Sequence, residues 1–475
     1  MKKETDINNK NDFSKKKWFF CNKDKDIFRF LTCGSVDDGK STLIGRLLYD
    51  TNQVYDDQLE LLSKDSKKHG TQGNKLDFAL LVDGLQSERE QGITIDVAYR
   101  YFSTKKRKFI MADTPGHKEY TCNMVTGASK CDLSIILVDA KKGLSEQTYR
   151  HFFINSIFGI KYLIIAINKM DLVNYEKNIF KKIKEEFSIF IKKLSIELNV
   201  FFIPISALLG INIVSNKFLI DWYKGPSLLD FLETIKRTKI NNIEKNLRFP
   251  VQCVNRSNTN FRGYSGTIVE GSISVGQKIK IFPSNIFATV SKIVTYDDNL
   301  VQANAGQSVT VLLKENIDIS RGDLFVDSSS SIFSKKNIFV KLISMSKDPI
   351  VAGKIYNVKT ATKKVRAFVK NIVYKINIKS LKKNKSDQLI LNEIGLIEIM
   401  VEEPVFFDSF RKNKIMGSMI FIDLLNNNTV AAGIFEGLKK EKENIKENFL
   451  NNNFELELRS LISKHFPHWG IKNIF

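Results

Sequence analysis

The sequence predicts an α/β domain built on a mostly parallel sheet, followed by two β-barrels. Three observations carry that expectation. Unbroken apolar runs, "LSIILVDA" at 133–140 and "KYLIIAINK" at 161–169, have the texture of strands buried on both faces of a parallel sheet. Helical periodicity fills the stretches around them, as in 175–199. After about residue 247 that periodicity gives way to short β-type runs punctuated by glycine, asparagine and proline. At 475 residues the chain exceeds what one hydrophobic core organises, so several domains are expected.

The elements follow in order. Residues 1–27 read as a polar extension, with Trp18 and Phe19 as its docking candidates. From Phe28, "IFRFLTCGS" is a strand entering a glycine loop. "KSTLIGRLLYD" continues as a helix with Leu43, Ile44, Leu47 and Leu48 on one face. "RKFIMA" and "NVFFIPISAL" supply further strands, and the amphipathic "SLLDFLETI" (227–235) closes a domain spanning 28–237. "RGYSGTIVEGSISVGQKIKIFP" and "ATVSKIVTYDDN" belong to a first small barrel, 248–333, and a second spans 336–436. Residues 437–475 are a Lys/Asn-rich linker and a helical tail with Leu458, Leu461 and Ile462 on one face. In "HFPHW", His465 and His468 lack a third ligand nearby, so a structural terminus is expected rather than a metal site.

Composition narrows the class. The 43% hydrophobic and 26% charged content is that of a soluble globular protein. Five cysteines without paired spacing suggest reduced thiols and a cytoplasmic protein. No apolar run approaches the roughly 20 residues that cross a bilayer, so no membrane partner is expected. The net charge of +21 admits a nucleic-acid surface. Its lysines are scattered through Asn- and Ile-rich segments rather than gathered on one face, so compositional drift is the preferred reading and no nucleic-acid partner is expected.

The chemistry is carried by five short stretches. "GSVDDGKST" (Gly34, Ser35, Val36, Asp37, Asp38, Gly39, Lys40, Ser41, Thr42) has the form G-x-x-x-x-G-K-[ST] between a strand and a helix. Such a loop turns backbone N–H groups onto phosphate oxygens, and the adjoining helix adds its positive end. Lys40 would reach the β- and γ-phosphates, and Ser41 would ligate Mg²⁺. "DTPGH" supplies Asp113, Thr114, Pro115, Gly116 and His117. Asp113 would hold Mg²⁺ through water, the Gly116 N–H would sense the γ-phosphate, and His117 would orient the attacking water. Thr94, in "GITID", would reach Mg²⁺ and the γ-phosphate only while the triphosphate is intact, as in order–disorder switches. "NKMD" (Asn168, Lys169, Met170, Asp171) presents a carboxylate that accepts from guanine N1–H and the exocyclic amine. Adenine offers neither donor there, and leaving such a group unpaired discriminates by about 10⁴–10⁵. "SAL" (Ser206, Ala207, Leu208) would contact the base through backbone. In this order, each at a strand end, the stretches predict an α/β P-loop GTPase domain with GTP and Mg²⁺ as ligands. Lys40, Thr94 and His117 would serve hydrolysis, which relies on positioning and electrostatics.

The longer strings "EREQGITIDVAYRYF" and "DTPGHKEYTCNMVTGAS" resemble the translation-factor class of GTPases. Within that class two readings stand. "KHGTQGNKLDFALLVDGLQSEREQGITIDVAYRYFSTKKRKFIMADTPGH", "WYKGPSLLDFLETI", "FPVQCVNRSNTNFRGYSGTI", "NIDISRGDL" and "FELELRSLISKHFPHWG" resemble the GTPase subunit of bacterial sulfate adenylyltransferase. The alternative is an elongation factor delivering aminoacyl-tRNA, but elongation factor Tu would be expected to carry histidine where Asp38 stands. The preferred resemblance implies a hetero-oligomer with a catalytic (small) subunit that binds ATP and sulfate and transfers AMP, driven by GTP hydrolysis in this chain. Cys122 stands where the family more usually has a basic residue. With no second phosphate loop, no fused adenylylsulfate kinase is expected.

Overall fold

The structure, a computed structural model, describes residues 25–69, 76–82, 88, 94–194, 198–215, 220–236, 246–258, 261–330 and 332–435. Residues 1–24 of the polar extension, the 437–475 tail and the "HFPHW" histidines lie outside the described residues, and the first strand begins at Ile27, inside the span given to the extension. The chain divides into two compact units, residues 1–240 with 376–384, and residues 241–375 with 385–475.

The first unit is a six-stranded sheet in the order β2-β3-β1-β4-β5-β6. Its strands are β1 Ile27–Cys33, β2 Ala98–Ser103, β3 Lys108–Asp113, β4 Leu133–Asp139, β5 Tyr162–Asn168 and β6 Asn199–Pro204. All neighbours pair in parallel except β2 with β3. Every residue of β4 is buried, as a strand covered on both faces must be. The helices are α1 Lys40–Asp50, α2 Asp56–His69, α3 Thr121–Ala128, α4 Glu146–Ile157, α5 Lys177–Lys192 and α6 Leu228–Thr234. Leu43, Ile44 and Leu47 of α1 share one core with Phe28 and Phe30 of β1, Ile135 and Leu137 of β4, and Leu228 and Leu232 of α6. On α5, Phe180, Ile183, Phe187 and Phe190 recur at helical spacing and are buried.

β1 is the pivot of the topology. The chain leaves it to build β2 and β3 on one side, then crosses back to place β4 on the other. Ligand crevices in open α/β sheets form at such a reversal, outside the carboxyl ends of the strands. The loops after β1, β3, β5 and β6 all emerge at that end, because parallel register aligns Thr32 with Asp113 and Ile167 with Pro204.

The second unit is all strand among its described residues. Besides two two-stranded sheets it has two larger ones, of which one has eight strands around a core of Phe249, Tyr264, Ile279, Val290 and Phe325. The other has seven, and the pairing of Ile355–Thr360 with both Lys363–Ile376 and Ser418–Ile422 closes it on itself. Two expectations shift by a few residues. The helix expected over 175–199 is α5, which stops at Lys192. The strand opening the second barrel begins at Phe333, inside the span given to the first. Its exposed Lys335 and Lys336 blur the apolar pattern there.

The barrels are clasped by a buried ion pair. Arg248 donates through Nε to Asp408 Oδ2 (2.8 Å) and through Nη2 to Oδ1 (3.3 Å), and its Nη1 reaches Ser330 Oγ at 2.8 Å. Leu324, Val326 and Met416 pack beside it, and Asn413 Nδ2 donates to Glu270 at 2.8 Å. Removing one partner of a buried pair strands the other charge. Arg248→Ala is therefore expected to lower the urea-unfolding stability of the barrel pair by about 3–5 kcal/mol. Arg248→Met, which also leaves Asp408 alone, should cost as much, whereas the double variant Arg248→Met/Asp408→Leu should recover most of the loss.

Candidate functional site

The phosphate-type loop is shaped by its own hydrogen bonds. The Ser35 N–H donates to Asp38 Oδ2 at 2.6 Å, folding the loop over itself. Asp37 (φ 66°) and Gly39 (φ 91°) take left-handed backbone. At Gly39 a side chain is also impossible sterically, since its Cβ would lie 2.5 Å from Nδ2 of Asn168. Gly39 then caps α1, whose first residue is Lys40. The Lys40 ammonium is buried and donates to the carbonyls of Ser35 (2.7 Å) and Gly34 (3.3 Å). Burial pushes its pKa down, opposed by the carboxylates of Asp38 and Asp113. Burial likewise pushes the Asp38 carboxyl up, opposed by Lys40 and the Ser35 N–H. Val36, Ser41 and Thr42 are half-buried around this loop.

The loop after β3 lies against it. Asp113 and Thr114 are buried. Thr32 Oγ1 donates to Asp113 Oδ1 (3.4 Å), and Thr114 Oγ1 donates to the Thr32 carbonyl (2.6 Å). Pro115 is buried, and Gly116 packs so tightly that a Cβ there would collide with Lys40 Nζ, the Gly34 carbonyl and the Ser35 backbone. Gln147 of α4 donates to the Gly116 carbonyl at 3.3 Å. His117 is exposed. Its Nδ1 accepts the Glu119 N–H at 3.3 Å and its ring lies 5.8 Å from that of Tyr120.

The loops after β5 and β6 are knitted to the first by one side chain. Asn168 Nδ2 donates to the Asp38 carbonyl (2.8 Å), and Asn168 Oδ1 accepts the Ala207 N–H (2.9 Å). Lys169, in left-handed backbone, pairs with Asp139 at 2.9 Å. Burial alone would raise the Asp139 carboxyl, but Lys169 and the N–H groups of 141 and 142 hold it below the usual range. Met170 is buried under the turn. Ser206 Oγ donates to Asp171 Oδ1 at 2.6 Å, leaving the other oxygen of that carboxylate for a second donor. Leu208 is half-buried at the edge of the loop.

The backbone just after Thr94 is held by Glu88 and α3. The N–H groups of Ile95 (2.9 Å) and Asp96 (3.4 Å) donate to Oε1 of buried Glu88, and Asn123 Nδ2 donates to the Ile95 carbonyl at 2.8 Å. The structure thus brings together the loops bearing Lys40, Gly116, Asn168, Asp171 and Ser206. The residues that follow Thr94, Ile95 and Asp96, are tied to Glu88, and Ile95 also to α3, while His117 is tied to its own helical turn. Sequence reasoning missed Asp139, Glu88, Asn123 and Gln147. Asp139 had a signal, a carboxylate ending an apolar strand run. Glu88 meets backbone only seven and eight residues on, while the partners of Asn123 and Gln147 are remote in sequence, and nothing in one dimension marks any of the three.

Beneath the loop, Cys33 Sγ, Ser134 Oγ and Asn155 Nδ2 form a buried chain, and burial pushes the Cys33 thiol up to about 11. A thiol so raised is inert. Among the described residues Cys33, Cys122 and Cys253 are free thiols. Among the described residues no helix is long and apolar enough to cross a membrane, and no cluster of three His, Cys, Asp or Glu side chains could hold a metal ion.

Comparison with known proteins adds a family. The model of the elongation factor Tu GTP-binding domain matches residues 25–242, and that of the GTP-eEF1A C-terminal domain-like family matches residues 337–436. Sulfate adenylyltransferase subunit 1 of Buchnera aphidicola subsp. Acyrthosiphon pisum (strain 5A) is 57% identical over 469 residues, 98% of this chain and 98% of that protein. The protein of the same name from Yersinia enterocolitica is 52% identical over 95% of this chain and 94% of its own. Among solved structures, the S. cerevisiae Ski7 GTPase-like domain, bound to GDP and inorganic phosphate, aligns over 89% of this chain and 99% of its own, with 19% identity and a TM-score of 0.49.

One buried group makes this unit sensitive to acid. His151 of α4 is fully buried, and neither ring nitrogen has a hydrogen-bond partner. Burial, with the Lys40 and Arg150 charges behind it, pushes its pKa down to about 3. In the folded state the ring stays neutral down to that value, whereas in the unfolded chain it takes a proton below about 6.5. The unfolded state therefore binds more protons in between, and stability falls as pH drops from 6.5 towards 3. His151→Leu should reduce the pH dependence of urea-unfolding stability between pH 6.5 and 5 by up to one proton, about 1.4 kcal/mol per pH unit at the low end. An unchanged slope would show that His151 is not the group responsible.

Proposed function

Because the chain belongs to the sulfate adenylyltransferase subunit 1 family and carries a GTPase domain of the elongation factor Tu type, we propose that it hydrolyses GTP to drive sulfate activation on a partner catalytic subunit. There AMP passes from ATP to sulfate, giving adenosine 5′-phosphosulfate and pyrophosphate. The phosphosulfate anhydride is uphill, and conversion of GTP and water to GDP and phosphate supplies the drive. The free thiols of Cys33, Cys122 and Cys253 suit a reducing, cytoplasmic setting.

The observation that carries this reading is the link from Asp38 through Asn168 to Ala207. It supports a single framework holding a phosphate cradle at one end and a base-reading carboxylate at the other. Gly34 to Thr42 cradle the phosphates, with Lys40 exchanging its two loop carbonyls for phosphate oxygens. Asp171, braced by Ser206, accepts from guanine through its remaining oxygen and lone pairs. The Asp139 carboxylate fixes Lys169 beside it.

Ser41, Thr94 and buried Asp113 offer hydroxyl and carboxylate oxygens, the donor chemistry that fits Mg²⁺. When bound, that ion neutralises charge building on the β- and γ-phosphates. Gly116 has the bare Cα that contact with the phosphate loop demands. With Nδ1 accepting from Glu119, neutral His117 carries its proton on Nε2. It can then orient a water by donating to it rather than by abstracting its proton.

The test is the GTPase rate of the full chain with the family's purified catalytic subunit, ATP and sulfate, set against the rate with ribosomes and aminoacyl-tRNA. The subunit with both substrates should raise the rate at least tenfold, and ribosomes should leave it unchanged. Stimulation by ribosomes alone would replace this reading with an elongation-factor role.

A further inference from the structure

Arg46 lies on α1, six residues beyond Lys40, and its guanidinium is half-buried. Four surfaces converge on it. Nε pairs with Asp50 at 3.0 Å. Nη1 donates to the Leu208 carbonyl at 3.5 Å. Gly210, at φ 74°, rests on the guanidinium so closely that a Cβ there would collide with Nη2, Cζ and Nε. Cζ lies 5.2 Å from the ring centroid of Phe78 and 5.8 Å from that of Tyr49. A planar, multiply donating cation suits such a junction, and an ammonium would satisfy one side of it at a time.

We propose that Arg46 is a positioning residue for the nucleobase, acting through the loop that follows β6; this rests on the reading that Asp171 and residues 206–208 take guanine. The loop is closed at its base by reciprocal bonds between Ser206 and Ile211, 3.2 and 3.1 Å, and Ser206 Oγ donates to Asp171 while accepting the Leu209 N–H at 3.3 Å. The Leu208–Leu209 peptide at its tip is held at both ends, its N–H by Ser206 Oγ and its carbonyl by Arg46. The Leu208 carbonyl is engaged by Arg46 and so faces α1. Were that peptide inverted, a carbonyl acceptor would be free to turn to the base, where it would repel guanine O6 and welcome the adenine 6-amine. By holding this carbonyl, Arg46 favours guanine over adenine from outside the pocket. Because the guanidinium also packs on Phe78, the base loop and the 78–81 turn share one anchor.

The experiment is equilibrium binding of GDP and ADP to the full chain and to two variants. Arg46→Ala removes the anchor, and Gly210→Ala displaces it by steric collision while leaving the arginine in place. Both should weaken GDP about tenfold and lower the GDP:ADP affinity ratio by at least that factor, with Arg46→Lys falling between them and the original chain. A merely structural role would weaken both nucleotides together and leave the ratio unchanged. That result, in whichever of the two variants folds, would overturn the proposal. If the unaltered chain itself does not prefer GDP to ADP, the base-site reading fails, and the proposal fails with it.

Discussion

The arrangement of the site depends on the carboxamide of Asn168. It is 2% exposed, and it spends its amide on the Asp38 carbonyl and its oxygen on the Ala207 N–H. Those groups belong to loops after β1 and β6, with β4 and β5 between the two strands. A buried amide satisfied on both sides can hold only one orientation. The phosphate loop and the base loop are thereby referenced to each other rather than separately to the sheet. Gly39 completes the contact, because any side chain there would meet the same carboxamide.

Around this link the site concentrates charge where water is scarce. Lys40, Asp38, Asp113 and Asp139 are all buried or nearly so. Each is matched: Lys40 by loop carbonyls and neighbouring carboxylates, Asp139 by Lys169, Asp38 by the Ser35 N–H, and Asp113 by the Thr32 hydroxyl. Fixed charges and dipoles in such surroundings are already oriented, so they need little reorganisation when a phosphate charge develops. Ile95, next to Thr94, is tied to Glu88 and Asn123, and His117 is exposed and tied to Glu119. A core of fixed loops with peripheral elements able to exchange partners is what a nucleotide switch requires.

Much of this was legible in the sequence, for a physical reason. The loops that the structure brings together carry particular residue types within a few positions, so "GSVDDGKST" and "NKMD" stand out as candidate site stretches in one dimension. Strands buried on both faces do the same through unbroken apolar runs such as 133–139. What stayed hidden depends on remote pairing. Gln147 meets Gly116 across 31 positions, Asn123 meets Ile95 across 28, and Arg46 meets Leu208 across 162. Each is a polar residue on a helix, which by itself reads as solvated surface. The start of the second barrel at Phe333 was blurred for a related reason, since exposed lysines interrupt the apolar alternation of its first strand.

The account stands on phosphate and base recognition being one framework, and replacement of its link tests that most directly. Asn168→Ala leaves the Ala207 N–H and the Asp38 carbonyl without these partners. Two such losses cost about 3 kcal/mol together, near 100-fold in affinity. Calorimetric titration with GDP should find binding weakened by about that factor, while near-UV circular dichroism shows the fold retained. GDP binding of undiminished affinity by a folded Asn168→Ala chain would contradict the account.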